Sequence, residues 1–387
     1  MFCSHYANLF MMCFYLILLV TGVFAEQAVP IRIGATVSLE GKYAEPSRML
    51  QDGFRLWEKH VNETGGLLGR PVELILHDDK GSEELVRSLY EQMITEEKVD
   101  LVLAPYGSPL TKAAAEVTTR NGYFLLACGA SANLWNGRFK NFYGMWAPGS
   151  RYFIGLLDII ASNGLNSVAI VYENSPFCAD LANGTHGWAR RFGLEVALFR
   201  SYESGKRELP RLLDEVQRVN PDCLILASYP EDSYFTVELM KDHKYRPRVV
   251  GLTIASTYPD FYLNSGSMAE GIFGSSQWEP DERIPFPGSQ RFVSDFFQFT
   301  GKPPTYHSGS AYAGCQIIEK AIRHCQSLDQ NKIADFIGSL DTATVVGRFK
   351  VDHDGSQTGH NPVIIQWQNG KKEIVFPLSM QTAQPRL

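Results

Sequence analysis

The sequence predicts an α/β protein built as two doubly wound parallel-sheet lobes. Three observations carry this. Short apolar runs alternate with amphipathic stretches from residue 31 onward, and that alternation makes right-handed βαβ units whose parallel strands are covered by helices on both faces. The alternation restarts near Pro148. A chain of 387 residues also exceeds one simple hydrophobic core and suits two lobes.

Element by element, 31–37 reads as a strand, and Met49, Leu50, Phe54, Trp57 and Val61 then recur at helical spacing. A second strand at 72–77 precedes an amphipathic stretch at 83–97. A third strand at 100–104 precedes a helix at 109–121, closed by Gly122, and a fourth strand follows at 123–128. After the restart, 152–163 reads as a helix with Gly164 as its stop. Strands at 167–172, 196–199, 223–227 and 249–252 then alternate with helices at 181–192, 209–219 and 231–242. The tail breaks the rule, with helices at 292–299, 311–325 and 332–340 in succession. Strands at 347–351, 362–367 and 373–376 read as antiparallel, joined at Asp354-Gly355 and Asn369-Gly370, both hairpin turn pairs.

The net charge of −6, with no Lys/Arg cluster, argues against nucleic-acid binding. Residues 1–25 carry no Asp, Glu, Lys or Arg and hold an apolar run too short to span a bilayer. The run ends at Val23-Phe24-Ala25, a small-x-small pattern that predicts a signal peptide cleaved after Ala25 and export of the remainder. Five cysteines lie beyond it: Cys128, Cys178, Cys223, Cys315 and Cys325. Their odd number and lack of CxxC spacing indicate neither a zinc site nor a disulfide framework. Cys315 and Cys325 are ten apart on one expected helix, roughly 15 Å and too far to bridge.

Ligands of open parallel sheets bind beyond the carboxyl ends of strands. After the strand at 100–104 comes Pro105-Tyr106-Gly107-Ser108-Pro109, where Ser108 is an N-cap candidate and Pro109 suits the first helical turn. Such a helix start is either a bare cap or an anion site. After 123–128 comes Gly129-Ala130-Ser131, small enough for close main-chain approach and carrying one hydroxyl. Phe177 and Tyr229 put one aromatic ring at each of two strand ends in the second half, read either as a lid or as core.

With these stretches in place, the chain resembles the type I periplasmic binding proteins of the leucine/isoleucine/valine-binding family. The likeness runs from Pro30 to the C-terminal region. It includes Ile31-Arg32-Ile33-Gly34-Ala35, the Gly65-Gly66-Leu67-Leu68-Gly69 link, Asp78-Asp79, and Val346-Gly347-Arg348-Phe349 with Asp352, Gly355 and Gln366-Trp367. No single motif decides; the order and spacing do. The resemblance implies a three-segment hinge, with lobe one from residues 28–147 plus 278–345 and lobe two from 148–277 plus 346–387. It implies that Ser108 binds a ligand carboxylate, with Gly129, Ala130 and Ser131 giving backbone and hydroxyl contacts. Tyr43 would be a pocket wall, and Phe177 and Tyr229 the second-lobe cover. Amino-acid binders of this family place an acidic residue where this chain has Thr253, and an ammonium shut in without a carboxylate is costly. Glu173, Glu231 and Asp232 are candidates to stand in for it. The implied ligand is a branched-chain or other amino acid, or an amide or aromatic acid.

The function so implied is a monomeric, non-enzymatic periplasmic binding component of an ABC importer. It would present a small molecule to a membrane permease and need no cofactor or metal. A sensor feeding a receptor or kinase is the main alternative, disfavoured by the polar ending at 381–387. An enzyme is the weaker rival. Gly129-Ala130-Ser131-Ala132-Asn133 lacks the last Gly of a nucleophile elbow. Gly309 and Gly314 have phosphate-loop spacing but are followed by Cys315-Gln316. Asp352-His353-Asp354 with His360 reads as a polar hairpin tip rather than a metal site.

Overall fold

The computed structural model describes residues 29–205, 207–284 and 286–387. The signal segment read at 1–25 lies outside the described residues.

The first strand, β1 (Ile31–Val37), is flanked by two parallel neighbours, β2 (Val72–Asp78) and β3 (Leu101–Val102), in the order β2-β1-β3. Helix α1 (Ala44–Glu63) connects β1 to β2 and α2 (Glu83–Thr95) connects β2 to β3. At the carboxyl ends of β1 and β2 the buried Asp79 carboxylate accepts from the hydroxyls of Thr36 (2.7 Å) and Ser38 (2.5 Å) and from Gly81 N–H (2.9 Å). That triple anchorage fixes the loop that carries Tyr43. Helix α3 (Ser108–Arg120) leads to β4 (Leu125–Ala127), which pairs in parallel with β5 (Phe142–Gly144). The sequence gave no sign of β5, a strand of three residues.

Beyond Pro148 a second, larger sheet forms. Helix α4 (Ile154–Ser162) ends with Gly164 in the left-handed region (φ 74°), as expected of a C-terminal stop. Then come β6 (Ser167–Glu173), α5 (Pro176–Arg191), β7 (Glu195–Tyr202), α6 (Leu209–Val219), β8 (Cys223–Ala227), α7 (Pro230–Asp242) and β9 (Val249–Leu252). The short α8 (Phe261–Ser265) and the unanticipated β10 (Ile272–Ser276) follow. The strands are ordered β14-β13-β10-β9-β8-β6-β7. Every residue of β8, β9 and β10 is buried while the edge strand β7 is half-exposed. Strands covered on both faces read as unbroken apolar runs, which is why β8 and β9 were visible without alternation.

The chain then returns to the first sheet's side as three helices, α9 (Ser289–Thr300), α10 (Tyr306–Cys325) and α11 (Gln330–Ser339). Helix α10 packs closely on α1 at Gly53, where an added Cβ would lie 2.3 Å from the Ser308 carbonyl oxygen. A two-stranded ladder of β11 (Thr342–Thr344) and β12 (Gly347–Phe349) precedes β13 (Val363–Gln368) and β14 (Lys371–Phe376). The expected hairpin at Asn369-Gly370 forms between β13 and β14, with φ 54° and 73°. The other expected pairing is corrected: β12 pairs with β11, not with β13. Asp354-Gly355 closes only a local turn spanned by the Val351–Gln357 bridge. Val345 and Val346 leave a reversal short enough for the strand just upstream to capture β12 first.

Two side-chain amides tie the crossing segments together. Ala147 N–H donates to Gln277 Oε1 (3.0 Å) and Gln277 Nε2 donates to Ala147 O (3.2 Å). Gln357 Nε2 donates to Met145 O at 3.3 Å.

Candidate functional site

Both sheets change winding direction, the first between β1 and β3, the second between β6 and β8. Crevices at such switch points bind ligands in open α/β sheets. The two crevices face one another. Tyr43 and Tyr106 follow β1 and β3; Phe177 and Tyr229 follow β6 and β8. Across the gap Tyr43 and Tyr229 are 5.1 Å apart edge-on; on the first side Tyr43 and Tyr106 are 6.1 Å apart, and on the second Phe177 and Tyr229 are 6.3 Å apart. Between them lies a cavity of about 10 Å³, room for about one water molecule.

Of the eight residues singled out from sequence, Ser108, Ala130, Phe177 and Tyr229 line this cavity. Gly129, Ser131, Tyr43 and Thr253 do not, although Tyr43 touches the Tyr229 ring. Ser108 is not the N-cap. Gly107, at φ 87°, takes that place because only glycine enters that backbone region freely, and Ser108 begins the helix. Its Oγ accepts from Ser131 N–H (3.0 Å), so the Ser108 hydroxyl hydrogen remains as the donor toward the cavity. The Ser131 hydroxyl donates to Pro176 O (3.2 Å), across the gap rather than into it. Thr253 is likewise engaged: its Oγ1 donates to Ser228 O (2.6 Å) and accepts from Ser228 N–H (2.9 Å).

The carboxylates considered as ammonium partners are also engaged. Glu173, with its side chain 2% exposed, binds Lys42 Nζ at 2.8 Å. Asp232 accepts from the Tyr202 hydroxyl (2.9 Å), and Glu231 makes interactions of its own. No carboxylate lines the cavity among the described residues. Lys42 also lies 4.8 Å from the Tyr229 ring centroid and 5.2 Å from that of Tyr43, within cation–π range. Burial alone would lower its pKa, but Tyr43 and Glu173 outweigh burial and hold it above 10.5.

Sequence reasoning missed most of the ring cluster. Tyr106, Trp146, Tyr152, Ile254 and Tyr306 also line the cavity. Ile254 sits at φ 50°, an outlier for a β-branched residue and a common form of strain at ligand sites. His307 packs on Tyr306 (3.9 Å), Tyr106 (5.4 Å), Trp146 (5.7 Å) and Tyr258 (5.9 Å). Both its ring nitrogens, Trp146 Nε1 and the Tyr258 hydroxyl are buried with no hydrogen-bond partner among the described residues. Each such group costs about 1–3 kcal/mol. Burial holds His307 neutral, its pKa lowered to about 3. Burial also pushes the Cys128 thiol up to about 12.

Comparison with known proteins places this geometry. A family model described as periplasmic binding protein matches residues 30–372. The chain belongs to the periplasmic binding protein family. Its members are solute-binding proteins that act outside the cytoplasm. Among curated relatives of this binding protein, the Leu/Ile/Val-binding protein homolog 7 of Brucella suis is 22% identical over 383 residues, covering 94% of this chain and 95% of the relative. Among solved structures, a leucine-binding protein of Thermotoga maritima superposes with a TM-score of 0.81 at 18% identity, covering 89% of this chain and 97% of that one. A branched-chain amino acid transporter substrate-binding protein of Streptococcus pneumoniae, in complex with isoleucine, also gives 0.81, at 17% identity over 89% and 98% of the chains. A solute-binding protein of R. palustris in complex with benzoate gives 0.77 at 16% identity, over 92% and 98%. The fold of this binding protein is therefore the two-lobed one shared by these structures. Among its described residues no helix is long and apolar enough to cross a membrane.

Proposed function

We propose that the chain is the periplasmic solute-binding component of an ABC importer, and that it takes a small carboxylate lacking an α-amino group by closure of the two lobes. One observation carries the ligand class: Ser108 brings a hydroxyl hydrogen and a helix start to a cavity that no carboxylate lines among the described residues. A helix start favours an anion, whereas an ammonium would find no counter-charge there. The apolar body would lie among Tyr106, Phe177 and Tyr229, beside Ala130. The likeness to a benzoate-bound protein as well as to an isoleucine-bound one supports a fold that serves both chemistries. Closure follows from the solute's contacts to both crevices, which favour the conformer in which they meet; the closed face would then engage a permease.

A thermal-shift screen of amino acids against their deaminated acids tests this. A true solute at 100 times its dissociation constant stabilises by about 2.7 kcal/mol. The deaminated acids should give the larger shifts, and Ser108→Ala should weaken them about 10- to 100-fold in affinity. A clear win for α-amino acids overturns the ligand class.

A further inference from the structure

Four polar atoms stand apart from everything the anion end of the cleft uses. They are both nitrogens of His307, Trp146 Nε1 and the Tyr258 hydroxyl, buried without partners among the described residues. They come from three separate stretches. Trp146 follows β5 just before the first crossing between sheets. Tyr258 follows β9 in the second sheet's layer. His307 stands in the first turn of α10, packed with the first sheet. Three unrelated segments thus bring unsatisfied donors and acceptors to one place. A purely structural cluster would be served as well by phenylalanine at His307, without the cost of two orphaned nitrogens. The cluster adjoins the cleft directly: Trp146 lines the cavity, and so do Tyr106 and Tyr306, the rings in contact with His307.

We propose that Trp146, Tyr258 and His307 form a second polar subsite of the cleft, which receives an uncharged hydroxyl or carbonyl group on the body of the bound carboxylate. This rests on the carboxylate reading above and narrows it to acids that carry a second hydrogen-bonding group away from the carboxyl. The donor and acceptor inventory fits such a group. Indole N–H only donates, a neutral imidazole donates once and accepts once, and a phenol does both. A hydroxyl can satisfy several of these at once. An ammonium fits poorly, because it only donates while three of the groups here carry donors of their own, and no counter-charge meets it. Because Tyr258 and His307 come from opposite sides of the gap, the subsite is complete only when the lobes are together. The same group therefore contributes to closure.

The test is calorimetric titration of the purified protein with pairs of acids differing by one hydroxyl: benzoate and 4-hydroxybenzoate, hexanoate and 6-hydroxyhexanoate. The hydroxylated member of at least one pair should bind 10-fold or more tightly. His307→Phe should erase that preference while leaving the parent acid within about threefold, and Trp146→Phe should also reduce the preference. His307→Phe should also raise the melting temperature without solute, since it removes two unsatisfied atoms from a packed cluster, and this readout does not depend on any solute. Equal binding of both members of every pair overturns the subsite, and so does a preference that survives His307→Phe. A lower melting temperature for His307→Phe shows that the imidazole is satisfied where it stands and also overturns it. If no acid of either kind binds while amino acids do, the carboxylate reading itself has failed and the subsite falls with it.

Discussion

The mouth of the cleft and its interior are joined across the same gap by opposite means. At the mouth, Lys42 reaches from the loop after β1 to Glu173 at the end of β6, and Asp180 of α5 accepts from Ala132 N–H (2.9 Å). Inside, rings, small residues and Ile254 meet, and the imidazole packed among the rings, His307, is neutral. On the subsite proposed above, charge at the rim should act on every solute alike, while the unpaired polar atoms within should discriminate among them. Stability and selectivity should therefore separate by depth.

The largest expected effect breaks the comparison on the acid side. His307 has a folded pKa near 3 against 6.5 unfolded, so the folded state binds fewer protons. The protein should lose stability as pH falls from 6.5 toward 3, by about 1.4 kcal/mol per pH unit from this residue. Chemical denaturation at pH 7, 5.5 and 4 should show the loss, and His307→Phe should remove that share of it. At the rim, Lys42→Met leaves Glu173 buried and uncompensated; because Lys42 is itself 32% exposed, the cost should be only about 1–2 kcal/mol. Titration should show all solutes weakened by one common factor, whereas interior changes shift their ranking. Lys42 titrates in the opposite sense to His307. With its pKa raised above 10.5, its contribution is complete below that value and fades only as pH rises through the raised value. Affinity should accordingly be flat from pH 7 to 9. The smallest effect sharpens the contrast from outside the cleft: Gly370→Ala, at φ 73° in the β13–β14 turn, should cost roughly 1 kcal/mol in thermal unfolding and leave solute ranking untouched.

What the sequence revealed follows the same divide. The bounds of β1, β8, β9 and α6 are those the apolar runs predict, because burial on both faces or a clear helical stripe leaves little ambiguity. Three-residue strands such as β5 and β11 carry no period to detect, and β10 ends in Gly274-Ser275-Ser276, whose small residues read as a loop. At the site, the strand-end rule reached Ser108, Ala130, Phe177 and Tyr229 because each lies within a few residues of a strand. It could not reach Trp146, Tyr258 and His307 as a group, because three stretches well separated in the chain bring them together. An aromatic after Thr305 looks like ordinary helix filling until the partners of its ring nitrogens are sought. The hydroxyls of Ser131 and Thr253 were legible as hydroxyls, but not their engagement with Pro176 and Ser228, which only the fold decides.

The reciprocal bonds between the Gln277 side-chain amide and the Ala147 backbone imitate two rungs of a ladder between segments that belong to no common sheet. Two strings tied at the same height twist about one axle rather than two, so the lobes should swing along a single arc instead of wobbling. On the function proposed above, a solute held in the cleft would change one angle at the outer surface, and a docking partner would read that angle.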